Sequence, residues 1–300
     1  MKSNPDITHD AGLEELRERP GLLENVRYLA RKQPLGALGL FLVLSIVLMG
    51  AFAPLISSHD PVRVAFEDML LPPSGKFLMG TDQFGRDILT RLLYGARTAL
   101  FVGCTAAFIG TTAGLVLGVT SAYLGGRFDL VFQRFSDVMQ AFPLIIMALA
   151  IVSIFGPSMP NVIIAITIPF IPDCARIVRS SALALRQMPF IDAARANGFS
   201  SARIILRHIV PNVMAPYLIV ITTFVGHAIL LEASLSYLGL GVQEPTPAWG
   251  LMLQGGAEEY AESAPWLAIW PGVAISVAVF GFNMFGDAVR DILDPKLRTE

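Results

Sequence analysis

The sequence predicts an all-α polytopic membrane protein with six transmembrane helices, and three observations predict it. The 300 residues are 54% hydrophobic and only 15% charged, with a mean hydropathy of +0.60, too apolar for an ordinary soluble domain. The apolar residues gather into runs of about 20, the length that crosses roughly 30 Å of hydrocarbon at about 1.5 Å per residue. Lys and Arg are distributed unevenly between those runs. All 22 lie in the N-terminal segment, the 125–134 turn, the 176–207 loop or the C-terminal segment, except Arg63, Lys76, Arg86, Arg91 and Arg97. Basic loops stay in the cytoplasm, so both termini and the long basic loop are expected inside. A net charge of −2 supplies no basic surplus for phosphates, and no nucleic-acid partner is expected.

Residues 1–34 form a polar tail with no apolar core, so no cleavable signal peptide is expected ahead of the first span. Leu22, Leu23, Val26 and Leu29 share a helical face away from Arg27, Arg31 and Lys32. That fits either a helix lying among lipid headgroups or a loosely ordered tail. Residues 35–287 form the membrane domain. Its first span, 35–56, carries no charge. The segment 57–97 is expected outside, and there Asp82, Arg86, Asp87 and Arg91 have the i,i+4 and i,i+5 spacing of charges that neutralise one another at an interface. Five more spans are expected at 98–123, 131–155, 161–178, 213–235 and 266–285, each one continuous helix, because backbone groups in lipid need partners within their own segment. Gly103, Gly110, Gly114 and Gly118 recur at spacings of four or seven, a face on which helices approach closely. Pro143, Pro157, Pro160, Pro169 and Pro172 suit third and fourth spans that kink, move or line a cavity. The external segment 237–265 carries Glu244, Glu258, Glu259 and Glu262 and no basic residue, and 288–300 is an internal tail. Cys104 and Cys174 have no metal-ligand or disulfide spacing and are expected as small core residues.

The internal loop 179–212 is the most informative stretch. Pro189 suits a first helical position, and Gly198 after Asn197 suits a left-handed stop, which predicts a helix over 189–197. A second short helix is expected from Ser200 or Ser201 to Pro211, so two helices meet at a glycine corner. Asp192-Ala193-Ala194, then Gly198, then His208-Ile209-x-Pro211-Asn212 resembles the EAA loop of ABC-importer permeases, with Asp where that family's consensus has Glu. The stretches 80–100, 232–241, 247–250 and 283–296 resemble, in order, signatures of the C-type permease of dipeptide, oligopeptide and nickel importers. The resemblance covers 35–296. It implies a type I importer permease fold in a bacterial inner membrane. It also implies a sister permease in a heterodimer, two ABC ATPase subunits and a periplasmic substrate-binding protein as partners, with lipid around the spans. Asp192, Ala193, Ala194, Gly198, His208 and Pro211 would be the ATPase-coupling residues. Di- or oligopeptides would be the cargo, with nickel chelates, glycosides and opines as the alternatives that close relatives carry.

The chain has no Gly-x-x-x-x-Gly-Lys-Ser/Thr loop to cradle a nucleotide; its one Gly-Lys pair, Gly75-Lys76, is followed by Phe77. ATP hydrolysis is therefore expected in separate chains, and this one is not expected to be an enzyme. Gly-x-Ser-x-Gly, His-Glu-x-x-His and Cys-x-x-Cys are also missing, so no cofactor or metal is expected. Three ionisable residues fall inside or near spans: Asp173, His227 and Glu232. Such groups are costly in hydrocarbon and are candidates for function. As a relay they would suit a proton-coupled secondary transporter, the competing reading. Asp173 and Glu232 lie near span ends, where the cost is smaller, and His227 also reads as a hydrogen-bonded packing residue.

Overall fold

The computed structural model describes residues 33–293. The N-terminal readings on Leu22 to Lys32 lie outside the described residues, as do the last residues of the C-terminal tail. Ten α-helices are named here in chain order: α1 (Pro34–Ile56), α2 (Ile88–Leu124), α3 (Gly126–Gln140), α4 (Leu144–Phe155), α5 (Met159–Arg186), α6 (Pro189–Ala196), α7 (Ser201–Ile204), α8 (Met214–Tyr237), α9 (Trp249–Glu258) and α10 (Trp266–Leu293). Five helices are long and apolar enough to cross a membrane: α1, α2, α5, α10 and the combined run Ser201–Tyr237. The pair α3 and α4 makes a sixth span if counted together.

Two expectations about continuity are corrected. The third span is not one helix: the chain bends by 89° between α3 and α4. Pro143 caps α4 from an extended backbone conformation and has no N–H to carry the α3 ladder forward. Conversely, the second short helix does not end at Pro211. From Ser201 the chain passes through a wider π turn at Ile205–Ile209 and a tighter 3-10 turn at Val210–Val213 before α8. Changing the ladder's pitch around Pro211 absorbs the missing donor without breaking the run.

α2 begins well before the expected start at residue 98. Asp87 caps it by accepting hydrogen bonds from Thr90 N at 2.9 Å and Thr90 Oγ1 at 2.7 Å. At 37 residues it exceeds the roughly 20 a span requires, so it reaches beyond the bilayer into the 57–97 segment.

The core is the seam between α2 and α5. A Cβ added at Gly110 would stand 2.9 Å from Phe170 Cβ, at Gly114 2.7 Å from Cys174 Cβ, and at Gly118 2.5 Å from the Ala175 carbonyl oxygen. Only hydrogen fits at these positions, and the two backbones close to contact. In lipid, where burying apolar surface gives little advantage, such packing supplies the helix association. Cys174 lies in this seam, its thiol donating to the Thr111 carbonyl at 3.3 Å. Cys104 does not share that setting: it is exposed on the outer side of α2, against expectation. α8 packs on α2 through Gly103 and Ile229, and on α10 through Gly226 and Phe282. α1 lies outermost against α10, its Gly39 meeting Met284 and Phe285.

Candidate coupling corner and membrane polar residues

α6 is an eight-residue helix that starts at Pro189, buries Ile191 and Ala194, and exposes Phe190, Asp192, Ala193 and Arg195. Asp192 lies in the first turn, where the positive end of the helix dipole favours a carboxylate, and pairs with Arg195 at 2.9 Å. Gly198 has φ +73°, and the N–H groups of Gly198 and Phe199 close the helix on the Arg195 and Ala194 carbonyls at 2.9 and 3.2 Å. That is the left-handed terminus the Asn197-Gly198 pair predicts. Ser200 then caps the next helix by accepting from Arg203 N at 3.4 Å.

The far side of the corner is braced by aromatic contacts. Phe199 stacks on the half-buried His208, with ring centroids 6.0 Å apart and planes 16° from parallel, while the Arg203 guanidinium lies 4.0 Å from the Phe199 ring centre. Asn212 donates to the His208 carbonyl at 2.7 Å, and Pro211 is exposed beside it. Asp192, Ala193, Ala194, Gly198, His208 and Pro211 therefore sit on one braced corner. The sequence reading did not foresee the part of Phe199, although an aromatic next to the stop glycine was a visible signal.

The corner is tied to the spans by basic residues. Arg195 places its guanidinium 5.4 Å from the Tyr123 ring centre, and Arg186 donates to the Ala122 carbonyl at 2.9 Å, both at the end of α2. Two turns further into α5, Arg179 makes a bidentate pair with Asp129 of α3 at 2.6 Å, and Ser121 donates to the same carboxylate. These contacts join α6 to α2, and α5 to α2 and α3, around the corner. Bidentate guanidinium–carboxylate geometry resists both stretching and rotation.

The three membrane polar residues do not form one cluster. Asp173 on α5 accepts from Gln140 Nε2 at 2.8 Å, and His227 on α8, exposed, is close enough to interact with it electrostatically. Glu232 stands apart. It is 1% exposed, accepts from Ser236 Oγ at 2.7 Å, and its other carboxylate oxygen has no partner among the described residues. No three His, Cys, Asp or Glu side chains among the described residues are placed to hold a metal ion.

A fourth feature joins the 57–97 segment to the 237–265 segment. Arg86 donates to Asp82 at 2.6 Å and, through both terminal nitrogens, to Glu244 at 2.8 and 3.1 Å; Arg91 donates to Glu244 at 3.2 Å and to the Pro61 carbonyl at 3.0 Å. The expected i,i+4 pair of Asp82 and Arg86 is present. Asp87 and Arg91 do not pair, because Asp87 is committed to capping α2. Burial opposes the charge of Glu244, but the hydrogen bond from Arg86 and the charges of Arg91 and Arg86 outweigh it and hold its carboxyl below the ordinary value.

Residues 110–299 match the family described as the binding-protein-dependent transport system inner membrane component, and residues 24–73 match the N-terminal transmembrane domain of oligopeptide transport permease C. The dipeptide transport system permease protein DppC of Alkalihalophilus pseudofirmus is 44% identical over 90% of this chain and 88% of its own length. The protein of that name from Escherichia coli K12 is 42% identical over 87% and 88%, and the di/tripeptide transport system permease protein DppC of Pseudomonas aeruginosa is 39% identical over 88% and 89%. Among solved structures, a chain of the MetNI methionine ABC transporter in an inward-facing conformation superposes with a TM-score of 0.55 over 68% of this chain and 96% of its own, at 19% identity, which is a likeness of fold. With five membrane-length helices and a bent sixth pair on that fold, the chain is a multi-pass inner-membrane transport subunit and not itself an enzyme, and it belongs to the family of binding-protein-dependent transport system inner membrane components.

Proposed function

We propose that this chain is one of two permease subunits of an ATP-driven importer, that it pairs with a different sister permease, and that its cargo is di- or oligopeptides. Both termini and the 179–212 loop face the cytoplasm in this reading, and 57–97 and 237–265 face outward to receive a substrate-binding protein. Two separate ATPase chains engage the corner at Asp192, Ala193, Ala194, Gly198, His208 and Pro211 and drive it as a lever. The observation that carries the reading is the corner itself. A capped helix, a left-handed glycine and a stacked Phe199–His208 pair make a stiff knob, exposed on one side and tied through Arg186, Arg195 and Arg179 to three membrane helices. Rigid-body coupling requires such a part. The peptide cargo is supported by the names of the relatives at about two-fifths identity. Cells lacking the chain should lose ATP-dependent uptake of labelled dipeptides and recover it when the chain is restored; uptake that persists unchanged without it would remove the peptide reading.

A further inference from the structure

The bend between α3 and α4 opens a cavity of about 330 Å³ beside the two prolines inside α5, lined by Pro143, Met147, Pro169 and Pro172 among others. Asp173 is the one charged residue in that lining. Its carboxylate is held from across the bend by Gln140, whose amide donates at 2.8 Å and keeps its own carbonyl oxygen for accepting. The nearest cation on the same helix, Arg176, is engaged by Asp137 at 2.7 Å. Among the described residues, no Lys, Arg or His nitrogen lies within the 4.0 Å of an ion pair with Asp173.

A carboxylate partly open to hydrocarbon costs a few kcal/mol, so this side of the bundle borders water or other protein and not lipid chains. The exposed imidazole of His227, near enough to act on Asp173, marks the same side. α3 ends at Gln140, which directs the negative end of a 15-residue helix to the same place. The site thus offers acceptors between apolar walls and, among the described residues, no cation within ion-pair distance of Asp173. A primary ammonium group, with three donors and one positive charge, matches it.

We propose that Asp173, oriented by Gln140, is a binding point for the terminal ammonium group of the cargo on its way through the membrane. This rests on the peptide-importer reading, since unmodified peptides carry that group. The test uses the complete transporter with its binding protein in proteoliposomes, reading uptake of labelled alanyl-alanine per ATP hydrolysed. Asp173→Asn keeps the shape and an acceptor for Gln140 and removes only the charge. It should lower uptake per ATP by about tenfold or more, the scale of a lost hydrogen bond to a charged group, and Asp173→Glu should restore most of it. An unaltered ratio in Asp173→Asn, whether uptake stays normal or falls together with hydrolysis, overturns the proposal, because the residue would then be dispensable or merely structural. If the unmutated transporter moves alanyl-alanine no faster than empty liposomes, the peptide reading fails and the proposal falls with it.

Discussion

Replacing Glu244 by Ala removes the carboxylate that two buried guanidinium groups share. Arg86 is 5% exposed and Arg91 1%, whereas Glu244 is 40% exposed. After the change Arg86 keeps Asp82 at 2.6 Å, but Arg91 is left with the Pro61 carbonyl at 3.0 Å and Asp82 at 3.7 Å. Removing one partner of a buried ion pair costs about 3–5 kcal/mol, and the partial exposure of Glu244 places this case at the lower end, about 3 kcal/mol. Unfolding in detergent can be read with a thiol-reactive dye in a Cys104→Ser background, where only the buried Cys174 remains. For a chain of 300 residues about 3 kcal/mol corresponds to a midpoint lowered by roughly 5 °C. Glu67→Ala removes an exposed carboxylate of the same segment and should shift the midpoint by less than about 2 °C. A Glu244→Ala midpoint within about 2 °C of its parent would refute the claim that this network holds the two segments together.

Three more outcomes are expected. Because the Glu244 carboxyl is held below its ordinary value, its contribution is fully present above the ordinary carboxylate range and is lost as pH falls through the lowered value; thermal stability should therefore drop on strong acidification, and the part of that drop due to Glu244 should be missing in Glu244→Ala. Gly118→Ala drives a methyl group to 2.5 Å from the Ala175 carbonyl oxygen and should destabilise by about 1–3 kcal/mol in the same melt, whereas Gly272→Ala, with nothing within 4 Å, should be neutral. Gly198→Val forces a β-branched residue to φ +73° at a cost of about 1–3 kcal/mol and should abolish uptake while leaving membrane insertion intact. Gly198→Asn, which tolerates that conformation, should retain uptake; normal uptake in Gly198→Val would remove the need for a left-handed corner.

The spans were legible because hydrocarbon thickness imposes a length on any crossing helix, so uncharged runs near 20 residues left little choice. The corner was legible for a local reason: Pro189, the Asn197-Gly198 pair and Ser200 each act within one turn of backbone. The 89° bend was half visible. Pro143 marks where the ladder must fail, but the angle depends on how α4 and α5 pack around the two α5 prolines, which no local pattern encodes. The link from Arg86 to Glu244 spans 158 residues and was hidden in sequence. Its faint trace was an external segment with four glutamates and no cation opposite one that held Arg86 and Arg91. Cys104 was misjudged because a small apolar residue in lipid gains as little from facing inward as from facing outward.

Docking of separate ATPases on the corner of this permease subunit can be tested by affinity isolation of the C-terminally tagged chain in mild detergent and mass spectrometry of what accompanies it. A second, different permease and P-loop ATPases are expected in the isolate, with the ATPases weakened or lost when Asp192→Lys reverses the exposed charge of α6. Recovery of the chain alone, or only with copies of itself, would contradict it and return attention to a self-sufficient carrier built around His227 and Glu232.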